Sequence, residues 1–284
     1  MRSRCWCSAA LAAALAAAGC GGSAETAEKP NPLAAKVQRT FDYDPGAPLR
    51  IRWGEERFTR RGILARELSY AAPGGRVPAL LVTPTSRGRH PAVILMHGSG
   101  GSRVDFLPEA ALLATRGIAA LTLTSPFEVE RNARETIDAT RRLTIRNVVD
   151  LRRAIDLLEA RHDVDPGRIG LVGYSLGAQA AVLTAATEDR LRAVIVQAGR
   201  ARASRAYASA PELDAVRYVS HLAPARAFFQ AAANDEVVPP ADMRELIRRA
   251  SRPKRAKWYP TGHGFDLQAY RDQVSWLVRV LGRP

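Results

Sequence analysis

Short apolar runs alternate along this chain with longer stretches in which apolar residues recur every three or four positions. "VPALLVTP" (77–84) and "PAVILMHG" (91–98) read as strands, the second apolar almost throughout, as a strand buried on both faces must be. "IAALTLTSP" (118–126), "IGLVGY" (169–174), "LRAVIVQAG" (191–199), "ARAFFQAAA" (225–233) and "AKWYP" (256–260) read the same way. Between them the period changes. Val148, Leu151, Ile155 and Leu158 share one face of a helix predicted over 144–162, and further helices are predicted over 103–117, 175–187, 241–250 and 265–282. "DVDPGR" (163–168) is a turn by composition. Strands alternating with helices predict an α/β fold, a mostly parallel central sheet with helices on both faces. In such sheets ligands bind at the carboxyl ends of the strands.

That rule gives four residues significance, because Ser175, His97, Asp235 and His263 all fall just past a predicted strand end. Ser175 lies in Gly173-Tyr174-Ser175-Leu176-Gly177, between a strand and a helix. The glycines suit a tight turn and a close helix-to-strand approach, and the helix dipole points at any anion formed beside the serine. The spacing alone leaves a helix-capping serine open as the alternative. A serine nucleophile needs a base and a group to orient that base. Of the five histidines, His90 and His162 fall at the wrong end of the sheet and His221 precedes a strand. His97 lies in His97-Gly98-Ser99-Gly100-Gly101, a turn better suited to presenting backbone N–H groups, with the ring shaping the turn. His263 follows the last strand between two glycines and is the candidate base. Asp235 is the candidate acid, with a turn-forming role as its alternative, while the adjacent Glu236 is expected to face solvent. The chain order Ser175, Asp235, His263 is that of the α/β-hydrolases.

"DLRRAIDLLEARHDVDPGRIGLVGYSLGAQAA", "LAPARAFFQAAANDEVVPP" and "YPTGHGF" resemble the dienelactone hydrolase, acetyl xylan esterase and prolyl-oligopeptidase-like branch of the α/β-hydrolases, over roughly residues 60–282. The resemblance implies the α/β-hydrolase fold, Ser175 as nucleophile, Asp235 as acid and His263 as base. It also implies an oxyanion hole from the backbone N–H groups of Leu176 and Ser99, with His97, Gly98, Gly173 and Gly177 shaping the two turns. The chain departs from the pattern in two places. Gly177-Ala178-Gln179 stands where a second glycine is common, and serine replaces the cysteine nucleophile of true dienelactone hydrolases. The expected activity is hydrolysis of small carboxylic esters with short acyl groups, leaving a peptidase or amidase and a non-catalytic binding protein as rivals. The irregular segments 126–143 and 199–222 are the candidate selectivity loops.

Composition changes the picture mainly at the N-terminus. Arg2 and Arg4 precede an alanine- and leucine-rich run over 8–18, too short to span a bilayer, and then Ala17-Ala18-Gly19-Cys20. This resembles a bacterial lipoprotein signal, which implies a signal peptide at 1–19, lipidation at Cys20, a tether at 20–40 and a hydrolase domain at 41–284. A plain secretory signal cut after Ala18 is the alternative. Either reading places the domain outside the cytoplasm, with a lipid anchor to a membrane as the first expectation. The formal charge of +14 comes from 42 basic residues, which are scattered beside apolar or acidic neighbours. They read as solvated surface, with no nucleic-acid partner. Neither metal-ligand spacing nor a phosphate-binding glycine pattern occurs, so no metal and no cofactor are expected.

Overall fold

A computed structural model of the chain describes residues 39–60, 62–130, 136–202 and 213–282. The signal segment, Cys20 and the tether up to residue 38 lie outside the described residues. So do 131–135 and 203–212, within the two candidate selectivity loops.

The sheet has nine strands: β1 (Arg52–Arg60), β2 (Ile63–Ala72), β3 (Gly75–Pro84), β4 (His90–Met96), β5 (Ala119–Leu123), β6 (Val164–Tyr174), β7 (Leu191–Gln197), β8 (Arg226–Ala232) and β9 (Lys254–Tyr259). Their order is β1-β2-β3-β5-β4-β6-β7-β8-β9. From β5 to β9 all neighbours run parallel, while β1, β2 and β3 join as an antiparallel extension. The longer helices are α1 (Leu107–Thr115), α2 (Ile137–Glu159), α3 (Leu176–Ala185), α4 (Pro240–Arg249) and α5 (Leu267–Leu281).

Burial on both faces explains the continuous apolar strands. In β4, Val93 and Leu95 pack with α1 and α5 on one face, alongside Ala110, Leu113, Trp276 and Leu277. Ala92, Ile94 and Met96 pack on the other with α2, α3 and α4, alongside Leu151, Ile155, Ala181 and Leu246. Burying one leucine-sized side chain contributes about 1.5–3 kcal/mol, so strand periodicity is erased here without loss of register.

Three features depart from the sequence reading. The antiparallel strands β1 and β2 were not expected. β2 alternates buried Ile63, Ala65, Leu68 and Tyr70 with more exposed residues, and β1 is mostly charged, so neither carries a two-sided apolar run. The "DVDPGR" turn lies inside β6. There Asp165 Oδ1 accepts from Gly167 N at 3.0 Å, and the pairing with β4 jumps from His90–Val164 to Ala92–Ile169. α2 starts at Ile137 instead of 144, because the Thr136 hydroxyl accepts from Ala139 N at 3.1 Å and caps the helix.

The arginines are also not all solvated. Arg153 is 1% exposed and donates to Asp156 Oδ2 at 2.7 Å, Pro45 O at 3.1 Å and Ala47 O at 2.6 Å. Arg190 reaches Asp156, Glu159 and Glu188 at 2.6–2.8 Å. A buried charge is tolerated when its donors are this fully used; removing one partner costs about 3–5 kcal/mol.

Asp150, in the middle of α2, is not so well served. Its Oδ1 has no hydrogen-bond partner among the described residues, Arg146 Nε stands 3.6 Å from Oδ2, and burial pushes its carboxyl up to about 7. The native state therefore holds a proton there that the unfolded chain releases near its ordinary value of 3.8. A raised carboxyl destabilises progressively as pH climbs through that window, from about 4 to about 7. Asp150→Asn should gain stability over the wild type by a growing margin across this range, reaching a few kcal/mol at about 1.4 kcal/mol per pH unit. Denaturant unfolding at a series of pH values measures it, and a margin independent of pH contradicts the assignment.

Candidate active site

β6 ends at Tyr174 and α3 begins at Leu176, leaving one residue to reverse the chain. That residue, Ser175, sits at φ 53°, ψ −113°, a conformation that costs a non-glycine residue about 1–3 kcal/mol. The neighbours hold it there. A Cβ on Gly173 would run into the carbonyl of Gly177, and one on Gly177 into the carbonyls of Met96 and His97. Strand, helix and the β4 terminus thus meet at a distance only glycine allows. Ser175 N donates to Gln197 O at 2.9 Å, fixing the turn to β7. The serine occupies the helix-cap position, yet its side chain makes no capping bond. Its Oγ lies 2.9 Å from His263 Nε2 instead.

His263 sits in the turn after β9. Its Nδ1 is 3.0 and 2.9 Å from the two carboxylate oxygens of Asp235. Asp235, past the end of β8, has its side chain only 3% exposed, and its Oδ1 also accepts from Val237 N at 2.9 Å and Val238 N at 2.8 Å. The turn-forming and imidazole-facing roles of Asp235 therefore coexist. Glu236 is exposed, as expected, but its Oε2 accepts from His263 N at 3.3 Å, so it also steadies the histidine turn. Tyr174, which the sequence did not single out, donates its hydroxyl to His263 O at 3.1 Å and lays its ring against the imidazole with centroids 5.2 Å apart. Burial pushes its phenol up to about 12, so it remains a donor. The only sequence signal for it was its place just before the serine.

The third turn, 97–101, follows β4. His97 is buried; Ser125 N donates to its Nε2 at 3.0 Å, so the neutral ring carries its proton on Nδ1 and donates to Gly98 O at 2.6 Å. Burial lowers the tendency of this ring to protonate. It shapes the turn and contacts neither Ser175 nor Asp235 in the hydrogen-bond pattern. A Cβ at Gly98 would come within 3.0 Å of both Ser175 Cβ and the Tyr174 ring, so the turn is pressed against the serine. Gly100 N is taken by Glu128 Oε1 at 2.8 Å, from the short helix Pro126–Val129. Among the described residues, the amides of Ser99 and Leu176 donate to no protein acceptor. The first N–H groups of a helix lack intrahelical partners; Leu176 follows Ser175 directly, and Ser99 follows Gly98, whose turn is pressed against the serine. Of the remaining histidines, His90 bonds Gly117 O and Ser86 O at the start of β4, His162 follows α2, and His221 lies beside Ser220.

A cavity of about 370 Å³ adjoins this constellation. Tyr174, just before the serine, and Gly264, just after the histidine, form part of its wall, with Ser99 of the 97–101 turn, Phe106 and Glu109 of the α1 region and Tyr270 of α5. Among the described residues no group of three or more His, Cys, Asp or Glu is placed to hold a metal ion, and no helix is long and apolar enough to cross a membrane. Chemically, a hydroxyl bonded to an imidazole that is in turn oriented by a carboxylate is equipped for acyl transfer.

Comparison with known proteins agrees with this fold. Acetyl xylan esterase 1 from Thermoanaerobacterium sp. JW/SL YS485 superposes with a TM-score of 0.73 at 18% identity, covering 88% of this chain and 94% of that one. The acetyl xylan esterase from Paenibacillus sp. R4 gives 0.72 at 17% identity, over 87% and 92%. At such identities the likeness is one of fold. In sequence, the chain is 31% identical over 123 residues to 2,6-dihydropseudooxynicotine hydrolase of Paenarthrobacter nicotinovorans, and 30% identical over 122 residues to quorum-quenching protein AidA of Acinetobacter baumannii. These matches cover 43% and 42% of this chain but only 32% and 38% of those proteins. The pattern of one family spans residues 77–275, most of the α/β sheet and all three turns of the site, and the chain belongs to that family, the dienelactone hydrolases.

Proposed function

We propose that this protein hydrolyses small carboxylic esters through a serine acyl-enzyme. The observation that carries the reading is the chain of contacts from Ser175 Oγ through His263 to Asp235, 2.9 Å at each step. His263 takes the Ser175 proton as Oγ attacks the ester carbonyl. The amides of Leu176 and Ser99 hold the oxyanion, aided by the N-terminal end of α3. His263 then passes the proton to the departing alcohol, and a water activated by the same imidazole attacks the acyl carbon and restores Ser175. Asp235 keeps the imidazole in the tautomer whose Nε2 faces the serine.

Family membership and esterase neighbours of the same fold support ester hydrolysis. A cavity of about 370 Å³ is near the low end of the range for ligand pockets, which supports a short acyl group. The N-terminal residues support an extracytoplasmic location with Cys20 as the lipidated residue. A single acyl chain holds a protein only marginally, and stable attachment takes more than one.

Ser175→Ala should abolish hydrolysis. Asp235→Asn should reduce kcat by about 10⁴-fold through the wrong imidazole tautomer, whereas Glu236→Gln, which touches only the backbone of the histidine turn, should cost far less. Steady-state kinetics on a nitrophenyl ester distinguishes them, and wild-type turnover by Ser175→Ala rejects the mechanism. In a chain-length series, acetyl or butyryl nitrophenyl esters should exceed those of twelve or more carbons in kcat/KM; a maximum at the long end would instead indicate an extended apolar groove. Cys20→Ala should shift the protein from the membrane to the soluble fraction in a bacterial host while leaving its specific activity intact. Equal partitioning of mutant and wild type would favour simple secretion.

A further inference from the structure

At the end of the sheet where the strands start lies another cavity, of about 300 Å³, and its wall is basic. Arg87 and Arg89 come from the turn before β4, Arg116 caps the end of α1, and Arg168 comes from β6. Among the described residues the wall contains no carboxylate. His90 ties the two turns together, with Nδ1 3.2 Å from Gly117 O and Nε2 3.0 Å from Ser86 O. The guanidinium groups are therefore carried on segments that cannot drift apart, although like charges repel. Arg168 is already balanced. Its Nε donates to Asp165 Oδ2 at 2.7 Å and its Nη1 to Leu281 O at 3.3 Å. That hydrogen bond, with a smaller contribution from the charge of Arg89, holds the Asp165 carboxyl below its ordinary value. Arg87, Arg89 and Arg116 have no hydrogen-bonded, ion-paired or stacked partner among the described residues, and all three are exposed. The C-terminal ends of α1 and α5 reach the cavity at Arg116 and Gly282 and offset about half an elementary charge each. Roughly two positive charges are left over.

We propose that this cavity is an anion site that takes a phosphate group, either free phosphate or the phosphomonoester headgroup of a lipid. A phosphate dianion carries the charge that is left unbalanced, and its oxygens match the paired N–H groups of a guanidinium. The cavity lies away from Ser175, at the opposite ends of the strands, so the site is independent of ester hydrolysis. A neighbouring cavity on α5 contains Arg226 and Arg279, but there the protein itself uses the other cations. Arg255 lies over the Phe228 ring at 5.0 Å, and Lys254 caps α4 through Ile247 O at 2.6 Å and Ala250 O at 2.7 Å.

Isothermal titration of the full chain with inorganic phosphate, at an ionic strength held constant with sodium chloride, should show saturable binding in the millimolar range or tighter. Arg87→Gln combined with Arg116→Gln removes two exposed, unpartnered groups without disturbing the fold, and should weaken binding about tenfold or more. Arg226→Gln combined with Arg279→Gln removes the same charge from the neighbouring cavity and should change it less than about twofold, because salt screens the more distant charges. Absence of saturable phosphate binding, or equal losses in the two double variants, overturns the site and leaves only a generally basic surface. Vesicles then distinguish the sources of the phosphate. Partitioning to phosphatidylcholine vesicles that rises when phosphatidic acid is included, and loses that rise in the Arg87→Gln, Arg116→Gln variant, supports the site with a lipid headgroup as its ligand. Phosphate binding in the titration without such a rise supports it with free phosphate as its ligand.

Discussion

The site depends on a steric constraint before it depends on any chemistry. β6, α3 and the end of β4 approach so closely at Gly173 and Gly177 that no side chain fits at either position. Ser175 between them is forced to a positive φ, which lifts its hydroxyl off the helix cap and toward His263. The same crowding brings Gly98, and with it the turn 97–101, against the serine. The strain of one residue is offset by the tightly packed, two-sided sheet beneath it, where an interior as dense as an organic crystal resists relaxation.

The parts legible in the sequence were those whose pattern has a single physical cause. The parallel strands were visible because burial on both faces leaves almost no polar residues in "PAVILMHG" or "LRAVIVQAG". Ser175, Asp235 and His263 were visible because strand ends are where such a sheet presents side chains. β1 was not legible, because an exposed edge strand of charged residues has no core to betray it. α2 was read seven residues short, because the start of a helix is set by a cap at Thr136 and not by the apolar stripe. Tyr174, Glu128 and Glu236 were missed as supports for a common reason: each acts through a contact with backbone far away in sequence, and such contacts leave no local period.

Polar burial is unevenly satisfied in this molecule, and the unevenness has a spatial logic. Arg153 and Arg190 have their donors engaged by carboxylates and carbonyls, as charges remote from the site must. Asp150 carries an unpaired oxygen inside the helix layer, where the cost is borne by stability alone. Glu109, beside the serine cavity, carries one too, covered by protein and next to the buried Gln273 side chain.

The Arg153 and Arg190 network also sets the direction in which the molecule faces. It binds Phe41, Tyr43, Pro45 and Ala47 through contacts at Arg152, Arg153 and Arg190, near the end of α2 and just before β7 begins. That is the end of the sheet where strands start, whereas Ser175 lies where they finish. The segment from Phe41 to Ala47 therefore joins the fold at the pole opposite the serine and its cavity. A pull on the chain at Phe41 to Ala47 would therefore be taken up by the arginine clamp at that pole, and the three turns around the serine would be spared the load.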